Sequence, residues 1–371
     1  MAGLLDAARA AAPLAAEHAR ESERNRRLAE PVNAALRDGG IYAMLAPRSL
    51  GGGEADLLET IEVLETLGAA DGSAGWCAMV SATSGLSLAW LEAGAAREVF
   101  PSPTTVLAGV FAPRGRARRG GGELEVSGRW PFASNVQNGE WVLGGCLVEE
   151  EAPLLALFRR EQVEVIDTWH VAGLRGTGSD DFAVEGVALP ERLTARTDLP
   201  PAEQGPLYAI PLFSTLAVGI AAVALGIGAA AVDDFVALAS AKVPTGSRRR
   251  LAEREVVQAG LARARAGVRS ARALLREEAA AAGQEVERGD PLSLERRAAL
   301  RLAATHAVGA SVRAADEVFG HAGASAVYET STLQRRFRDL HVAAQHLMVA
   351  PPTYELAGRV ELGLGVEGRG F

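Results

Sequence analysis

The stretch that decides the fold runs from Leu124 to Pro190 and begins Leu124-Glu-Val-Ser-Gly-Arg-Trp-Pro-Phe-Ala-Ser-Asn135. Its apolar residues alternate with polar ones or form short blocks, at 141–148 and 154–158, bounded by glycine, proline and asparagine. This pattern predicts β-strands, because strand side chains alternate between two faces and turn residues mark the ends. Segments with helical periodicity flank the stretch. We therefore expect a small β layer between two helical blocks.

Working outward, the chain divides into a helical N-terminal domain (1–110), a central β domain (111–195) and a C-terminal helical bundle (196–371). In the last segment, apolar positions alternate steps of four and three. They are Val257, Leu261, Ala264, Val268, Ala271 and Leu275, and again Leu300, Ala303, Ala307, Ala310 and Ala314. Such seams predict helices that pack along one face in an antiparallel bundle.

Composition excludes several classes of protein. The net charge of −8 argues against nucleic acid as a partner. Two cysteines provide no disulfide framework and the N-terminus lacks a signal pattern, so a cytoplasmic location is expected. Residues 207–232 carry no charge and are long enough to span a bilayer, but they are rich in Ala and Gly and contain Pro211. They predict a buried bundle helix, not a membrane segment.

One group of aromatic and hydroxyl side chains lies on the predicted strands and their loops. Its members are Trp130, Phe132, Ser134, Asn135, Trp169, Thr177 and Ser179. The group is compatible with a capped hairpin core. It is equally compatible with a shelf for a flat heteroaromatic ligand, whose polar edge would meet the hydroxyls and backbone N–H groups. The glycines at 173, 176 and 178 predict a loop that passes close to something bulky.

A second group lies in a predicted helix from about Leu333. Arg335 and Asp339 are one turn apart and can pair, and His346 continues the same stripe, so the pair could orient its imidazole. A surface salt bridge beside an incidental histidine is the alternative. His341 and His346 are off the i,i+4 spacing of a shared metal, and no metal site is expected.

Together these segments resemble the acyl-CoA dehydrogenase superfamily over nearly the whole chain. The resemblance is carried by Gly128-Arg-Trp-Pro-Phe-Ala-Ser-Asn135, by Gly173-Leu-Arg-Gly-Thr-Gly-Ser179, and by Phe319-Gly-His-Ala-Gly323 followed by Gln334-Arg-Arg-Phe-Arg-Asp339. It implies a helical domain, a central β-sandwich or barrel and a C-terminal four-helix bundle. It also implies a flavin between the β domain and the bundle, and a homotetramer.

Two branches of the superfamily compete. Dehydrogenases carry Tyr-Glu-Gly-Thr with the Glu as base, whereas this chain has Tyr328-Glu329-Thr330-Ser331. Flavin-dependent monooxygenases, which take reduced flavin from a separate reductase, resemble the chain in Asp71-Gly-Ser-Ala-Gly-Trp76 and in Arg338-Asp339 followed by His346. Two departures from the monooxygenases are the lack of a histidine at 77–91 and Asn135 in place of their usual glycine.

The resemblance thus implies a monooxygenase that uses reduced FAD or FMN and O2 to oxygenate a small aromatic or amine-like substrate. His346 would deprotonate or position the substrate, Asp339 would help to orient His346, and Ser134 would hydrogen-bond the flavin. The implied cofactor-binding residues are Trp130, Phe132, Ser134, Asn135, Trp169, Thr177, Ser179 and Arg338. The alternatives are an acyl-CoA dehydrogenase with Glu329 as base and an oligomeric flavin-binding or scaffold protein.

Overall fold

The computed structural model describes residues 3–149 and 151–366. Five α-helices precede the strands in this part of the chain: α1 Leu4–Asn25, α2 Glu30–Asp38, α3 Leu57–Ala70, α4 Gly72–Leu86 and α5 Ala93–Val99. Five follow them: α6 Leu212–Ala241, α7 Glu255–Glu287, α8 Leu294–Ala322, α9 Thr332–Ala343 and α10 Pro352–Glu361. The predicted order of helices, strands and helices is confirmed. The domain divisions expected at 110 and 195 fall inside the first strand and at the end of the last.

The described strands form one mixed sheet of seven. They are β1 Leu107–Gly120, β2 Glu123–Trp130, β3 Trp141–Val148, β4 Leu154–Arg159, β5 Glu164–Ile166, β6 Asp181–Pro190 and β7 Thr194–Ala195. Their order is β5-β6-β2-β1-β3-β4-β7, with β1 and β3 parallel and the other neighbours antiparallel. The small β domain is therefore a single continuous sheet.

The Trp130 side chain is fully buried in the hydrophobic cluster that packs on this sheet. Its ring stacks on Phe182 of β6, with centroids 4.7 Å apart, and its Nε1 donates to the Gly145 carbonyl at 2.7 Å. Glycine makes the room, since a Cβ on Gly144 would lie 2.7 Å from the Trp130 ring. The interpretation of Trp130 as part of a ligand shelf is corrected here, because the ring is wholly enclosed by the sheet's own side chains.

Helix α6 is the core of the helical part. By length and composition it could cross a membrane, but nearly all of its apolar stretch is buried inside the protein, which confirms the predicted bundle helix. Small residues allow the close packing: a Cβ on Gly226 would lie 2.3 Å from the Glu65 carbonyl oxygen of α3. Helices from before and after the sheet share one hydrophobic core.

The predicted seams of α7 and α8 are confirmed as well. Nearly all of their apolar positions are buried, and Leu261 alone is only partly covered. The two helices pack on each other and, together with α6 and α9, form the C-terminal bundle. The bundle therefore meets α3 and α4 on one side, which brings the C-terminal helices close to the loops of the sheet.

Candidate active site

The indole of Trp76 joins the two groups of residues that the sequence singled out. Trp76 lies on α4, whose start is capped by Asp71: its Oδ2 accepts the Ala74 N–H at 3.0 Å. Trp76 Nε1 donates to Ser134 Oγ at 3.0 Å. The same ring lies edge-on to the His346 imidazole, with centroids 5.9 Å apart. One buried side chain thus contacts both Ser134 of the sheet region and His346 of the C-terminal region.

The loop after β2 presents Ser134 through two residues with left-handed backbone. Phe132 has φ 66° and Asn135 has φ 62°, a region that Asn tolerates and that is strained for Phe. Asn135 Nδ2 donates to Ser81 Oγ of α4 at 3.0 Å, which fixes the loop on that helix. The Phe132 ring is 70% exposed and lies edge-on to Trp169, with centroids 6.3 Å apart. These two rings form an aromatic face beside Ser134.

A buried chain of hydroxyls extends from Ser134 into the neighbouring loop. Ser134 Oγ lies 2.7 Å from Ser179 Oγ, and Ser179 Oγ lies 2.6 Å from Thr177 Oγ1. Thr177 Oγ1 donates to the Leu174 carbonyl at 2.8 Å. All three hydroxyl side chains are at least 96% buried. The structure therefore brings together the hydroxyl residues that the sequence grouped, and Trp169 Nε1 donates to the same Leu174 carbonyl at 3.0 Å.

The glycine-rich loop at 173–179 does pass close to something bulky, as predicted. Its neighbour is the backbone of α9, because a Cβ on Gly173 would lie 2.3 Å from the Arg338 carbonyl oxygen. Asp339 Oδ1 accepts the Leu174 N–H at 2.6 Å, and Leu174 adopts φ 50°. The end of the bundle thereby holds the loop that carries Thr177 and Ser179.

Asp339 does not orient His346, which corrects the prediction. Its hydrogen bond goes to the loop, and α9 ends at Ala343, so the helical stripe is broken before His346. Burial raises the pKa of Asp339 to about 7, and the charge of nearby Asp71 adds to the shift, while the Leu174 N–H and Arg335 oppose it. Burial also raises the pKa of Asp71. Two buried carboxyl groups therefore share this junction.

His346 begins a short turn after α9 and is partly buried. Its Nδ1 accepts the Met348 N–H at 3.2 Å, which assigns the proton of the neutral ring to Nε2. Burial, and then the charge of Arg301, lower the pKa of His346 to about 4. Arg301 is itself held by the Met348 carbonyl at 2.9 Å. At neutral pH the imidazole is an uncharged hydrogen-bond donor through Nε2.

Two other predicted residues lie outside this cluster. The guanidinium of Arg338 is committed within the chain, to Glu23 at 2.5 Å and to Gln334 at 2.7 Å. Glu329 is exposed on the turn between α8 and α9, where its carbonyl accepts from Gln334. In the described residues no hydrogen bond joins either one to Trp76, Ser134 or His346.

Two buried polar atoms on the elements that carry the cluster have no partner in the described chain, and this fits a bound ligand such as a flavin. Arg175 Nε lies on the same loop as Thr177 and Ser179, and Ser84 Oγ lies on the helix of Trp76. A buried donor without a partner is costly, so a ligand that supplies acceptors is favoured. The exposed Phe132 ring adds an aromatic contact. The Arg175 guanidinium and the Ser134 hydroxyl are therefore the polar groups that this cluster offers to such a ligand.

Sequence reasoning did not nominate Trp76 or Arg175 as site residues. Trp76 lies in a helix whose residues are all buried, so the sequence pattern does not show which side chains face a site. Its contacts with Ser134 and His346 identify it as a site residue. The resemblance of the segment from Asp71 to Trp76 to the monooxygenases was the sequence feature that could have indicated Trp76.

The helical blocks, the intervening sheet and the buried indole–hydroxyl cluster define a flavoprotein of the acyl-CoA dehydrogenase fold. Residues 4–97 match the family described as acyl-CoA dehydrogenase, N-terminal domain, and residues 218–351 match acyl-CoA dehydrogenase, C-terminal domain. An indole-3-acetate monooxygenase of Pseudomonas putida is 33% identical over 348 residues, which cover 92% of this chain and 89% of that relative. The chain belongs to the flavin-dependent monooxygenases of this superfamily.

Two further similarities are relevant to the cofactor. The oxygenase component of an FADH2-dependent resorcinol hydroxylase of Rhizobium sp. is 28% identical, over 95% of this chain and 92% of that protein. XiaF of Streptomyces sp., solved with FADH2 and glycerol, superposes with a TM-score of 0.92 at 26% identity, over 99% of this chain and 96% of XiaF.

Proposed function

We propose that this protein oxygenates a small aromatic substrate, using O2 and reduced FAD or FMN delivered by a separate flavin reductase. The observation that carries the proposal is the contact of Trp76 with both Ser134 and His346. It gives one buried site a hydroxyl for the cofactor and an imidazole for the substrate. The relative named as an oxygenase component supports the separate reductase.

The bound reduced flavin supplies the electrons that activate oxygen. Ser134, held in place by the hydroxyls behind it, would contact the flavin, and Arg175 would supply a cation for its phosphate. Phe132 and Trp169 would lie against its ring and keep water away from the reaction. Asn135 is already bonded to Ser81, so it shapes the loop instead of meeting the cofactor.

His346 positions the substrate by donating from Nε2. Its Nδ1 is occupied by the Met348 N–H, and its lowered pKa keeps the ring neutral at physiological pH. A neutral donor suits a phenolic or carbonyl oxygen. General-base action by His346 would require a ring nitrogen with a free lone pair, which this tautomer does not offer.

The substrate pocket is proposed to extend between α4 and α6. These helices run antiparallel, since Gly72 meets Ile227 and Gly219 meets Met79. Continuing that register brings Ser84 level with Thr215, and both hydroxyls are buried with no partner among the described residues, as is Ser214 Oγ. Uncharged hydroxyls suit a neutral polar group on an aromatic ring, such as a phenol or an indole. The relatives named for indole-3-acetate and resorcinol agree with this substrate class.

Acyl-CoA dehydrogenation is the rival on this fold, and the placement of Glu329 argues against it. A base for α-proton abstraction must reach the substrate beside the flavin, whereas Glu329 is exposed on a turn and makes no contact with the cluster in the described residues. The non-enzymatic alternative, a scaffold without chemistry, is disfavoured by the family of the chain and by the buried polar atoms that have no partner in its described part.

We also propose a cytoplasmic homotetramer. Self-association would cover large apolar side chains that are exposed in the single chain, among them Tyr328, Leu347 and Leu362. Native mass spectrometry of the purified protein would give the assembly directly, and a monomer would refute this part.

The test of function combines the protein with a flavin reductase, NADH, O2 and a panel of phenols and indoles. We expect a product heavier by one oxygen atom in at least one reaction, and NADH consumption that requires both proteins. Anaerobic addition of acyl-CoA to the oxidised flavin complex is the second arm. Bleaching there, with no oxygenated product in the first arm, would favour the dehydrogenase and overturn the proposal.

A further inference from the structure

The proton positions of the buried hydroxyl chain are determined from its far end. The Leu174 carbonyl oxygen can only accept, so the Thr177 hydroxyl, 2.8 Å away, points its proton there. Thr177 Oγ1 also lies 2.6 Å from Ser179 Oγ. Because a hydroxyl has a single proton, and that of Thr177 is already used, Ser179 must be the donor in this second contact.

The same counting extends to Ser134. Ser179 has given its proton to Thr177, so in the 2.7 Å contact between Ser134 Oγ and Ser179 Oγ the donor is Ser134. Trp76 Nε1 can only donate, and it does so to Ser134 at 3.0 Å. Ser134 Oγ therefore has no proton to offer a ligand and keeps one lone pair. The hydrogen bonds run in one direction, from Trp76 to the Leu174 carbonyl.

We propose that this one-way chain makes Ser134 an acceptor and thereby selects reduced over oxidised flavin. Trp76, Ser179 and Thr177 are then positioning residues. The inference rests on the proposed function. The central-ring nitrogen of the oxidised isoalloxazine at its reactive edge is an acceptor, whereas reduction gives it an N–H. A serine that can only accept fits the N–H form and rejects the other.

Reversal of the chain would be costly. If Ser134 were to donate to an oxidised flavin, one of the three hydroxyl contacts would be left without a hydrogen, and in a full reversal Ser179 and Thr177 would turn as well. The Thr177 and Leu174 oxygens would then lie 2.8 Å apart without a hydrogen between them. A buried hydrogen bond would be lost and two lone pairs would face each other. Discrimination between reduced and oxidised flavin thus depends on Thr177, although the hydroxyls of Ser134 and Ser179 separate it from the ligand.

The experiment measures the Kd of reduced and of oxidised flavin, anaerobically, for the wild type, Thr177→Val and Ser179→Ala. The wild type should bind reduced flavin more tightly. Either substitution frees the Ser134 proton, so the ratio of the oxidised to the reduced Kd should fall by about tenfold. The midpoint potential of the bound flavin should fall by about 30 mV, the two-electron equivalent of a tenfold change.

Thr60→Val is the matched control. Thr60 is buried and its hydroxyl also donates to a backbone carbonyl, that of Asp56 at 2.7 Å, but in α3 and outside the cluster. The ratio of the oxidised to the reduced Kd of Thr60→Val should equal that of the wild type. The inference is overturned if both Thr177→Val and Ser179→Ala keep the wild-type ratio, or if the wild type shows no preference for reduced flavin. Failure of the proposed function differs: neither redox state binds, or no aromatic product forms.

Discussion

The carboxylate of Asp339 accepts the backbone N–H of Leu174 at 2.6 Å, and this bond links the end of the C-terminal bundle to the glycine-rich loop. The carbonyl of the same residue, Leu174, ends the hydroxyl chain that begins at Trp76. Asp339 is therefore separated from the candidate flavin contact yet determines where that contact is held. The protonation state of Asp339 therefore affects how firmly the glycine-rich loop is held.

The first prediction concerns pH. Burial and the neighbouring Asp71 raise the pKa of Asp339 to about 7, above its ordinary value of 3.8. The folded state then binds this proton more tightly than the unfolded state, so the stability the group contributes is complete below about pH 4 and is lost as the pH rises through about 7. Thermal unfolding should show the wild type losing Tm relative to Asp339→Asn across that range.

Asp339→Asn is a suitable reference because its amide oxygen can still accept the Leu174 N–H and does not titrate. Titrating groups that do not interact with Asp339 are common to both proteins and cancel in the difference of Tm, whereas the interaction with Asp71 is part of the effect that is measured. A difference that stays constant from pH 4 to pH 7 would contradict the raised pKa.

The second prediction concerns His346. Since burial lowers its pKa to about 4, kcat/KM should show no ionisation of this residue between about pH 5.5 and 8. His346→Ala should reduce kcat/KM by about tenfold or more, because a buried donor to the substrate is lost. His346→Gln, which keeps an N–H donor, should recover part of that loss. A limb near pH 6.5 that disappears in His346→Gln would identify His346 as a titrating base instead.

The third prediction separates two tryptophans. Trp130→Phe removes the bond to the Gly145 carbonyl and leaves a void in the sheet, so the free energy of unfolding should fall by about 1–3 kcal/mol while flavin affinity is retained. Trp76→Phe removes the donor to Ser134 and should weaken reduced-flavin binding. Denaturant titration and flavin binding on both variants provide the check. Equal loss of flavin affinity would place Trp130 in the site after all.

The fourth prediction concerns Gly173. A Cβ there would lie 2.3 Å from the Arg338 carbonyl oxygen, so Gly173→Ala must push the loop away from α9. We expect a lower Tm and weaker flavin binding together, since Thr177 and Ser179 move with the loop. Gly267→Ala is the control, because a Cβ at that helical position meets nothing within 4 Å. Wild-type flavin affinity in Gly173→Ala would show that the loop does not hold the cofactor.

Much of the fold could be predicted because it depends on local pattern. Alternation marked the strands, and the uncharged run around Gly226 marked α6, whose glycine lets it touch α3. The hydroxyls at 134, 177 and 179 were grouped correctly because short loops at neighbouring strand ends converge.

The remaining features depend on distant contacts. Trp130 and Phe132 are two residues apart, and the glycines at 115, 128 and 144 leave room in the sheet for the first ring, while the second stays exposed. His346 was assigned to the stripe of Arg335 and Asp339 because its spacing from them is helical, yet α9 ends at Ala343. Trp76 could not be distinguished within a wholly buried helix.

The most direct test of the central claim is a single turnover without a reductase. The protein is loaded anaerobically with chemically reduced flavin and an aromatic substrate from the panel, then mixed with 18O2, and the product is analysed by mass spectrometry. We predict one 18O atom in the product with the wild type and little product with Ser134→Ala. Product that carries no label, or that forms equally without the protein, would contradict the account.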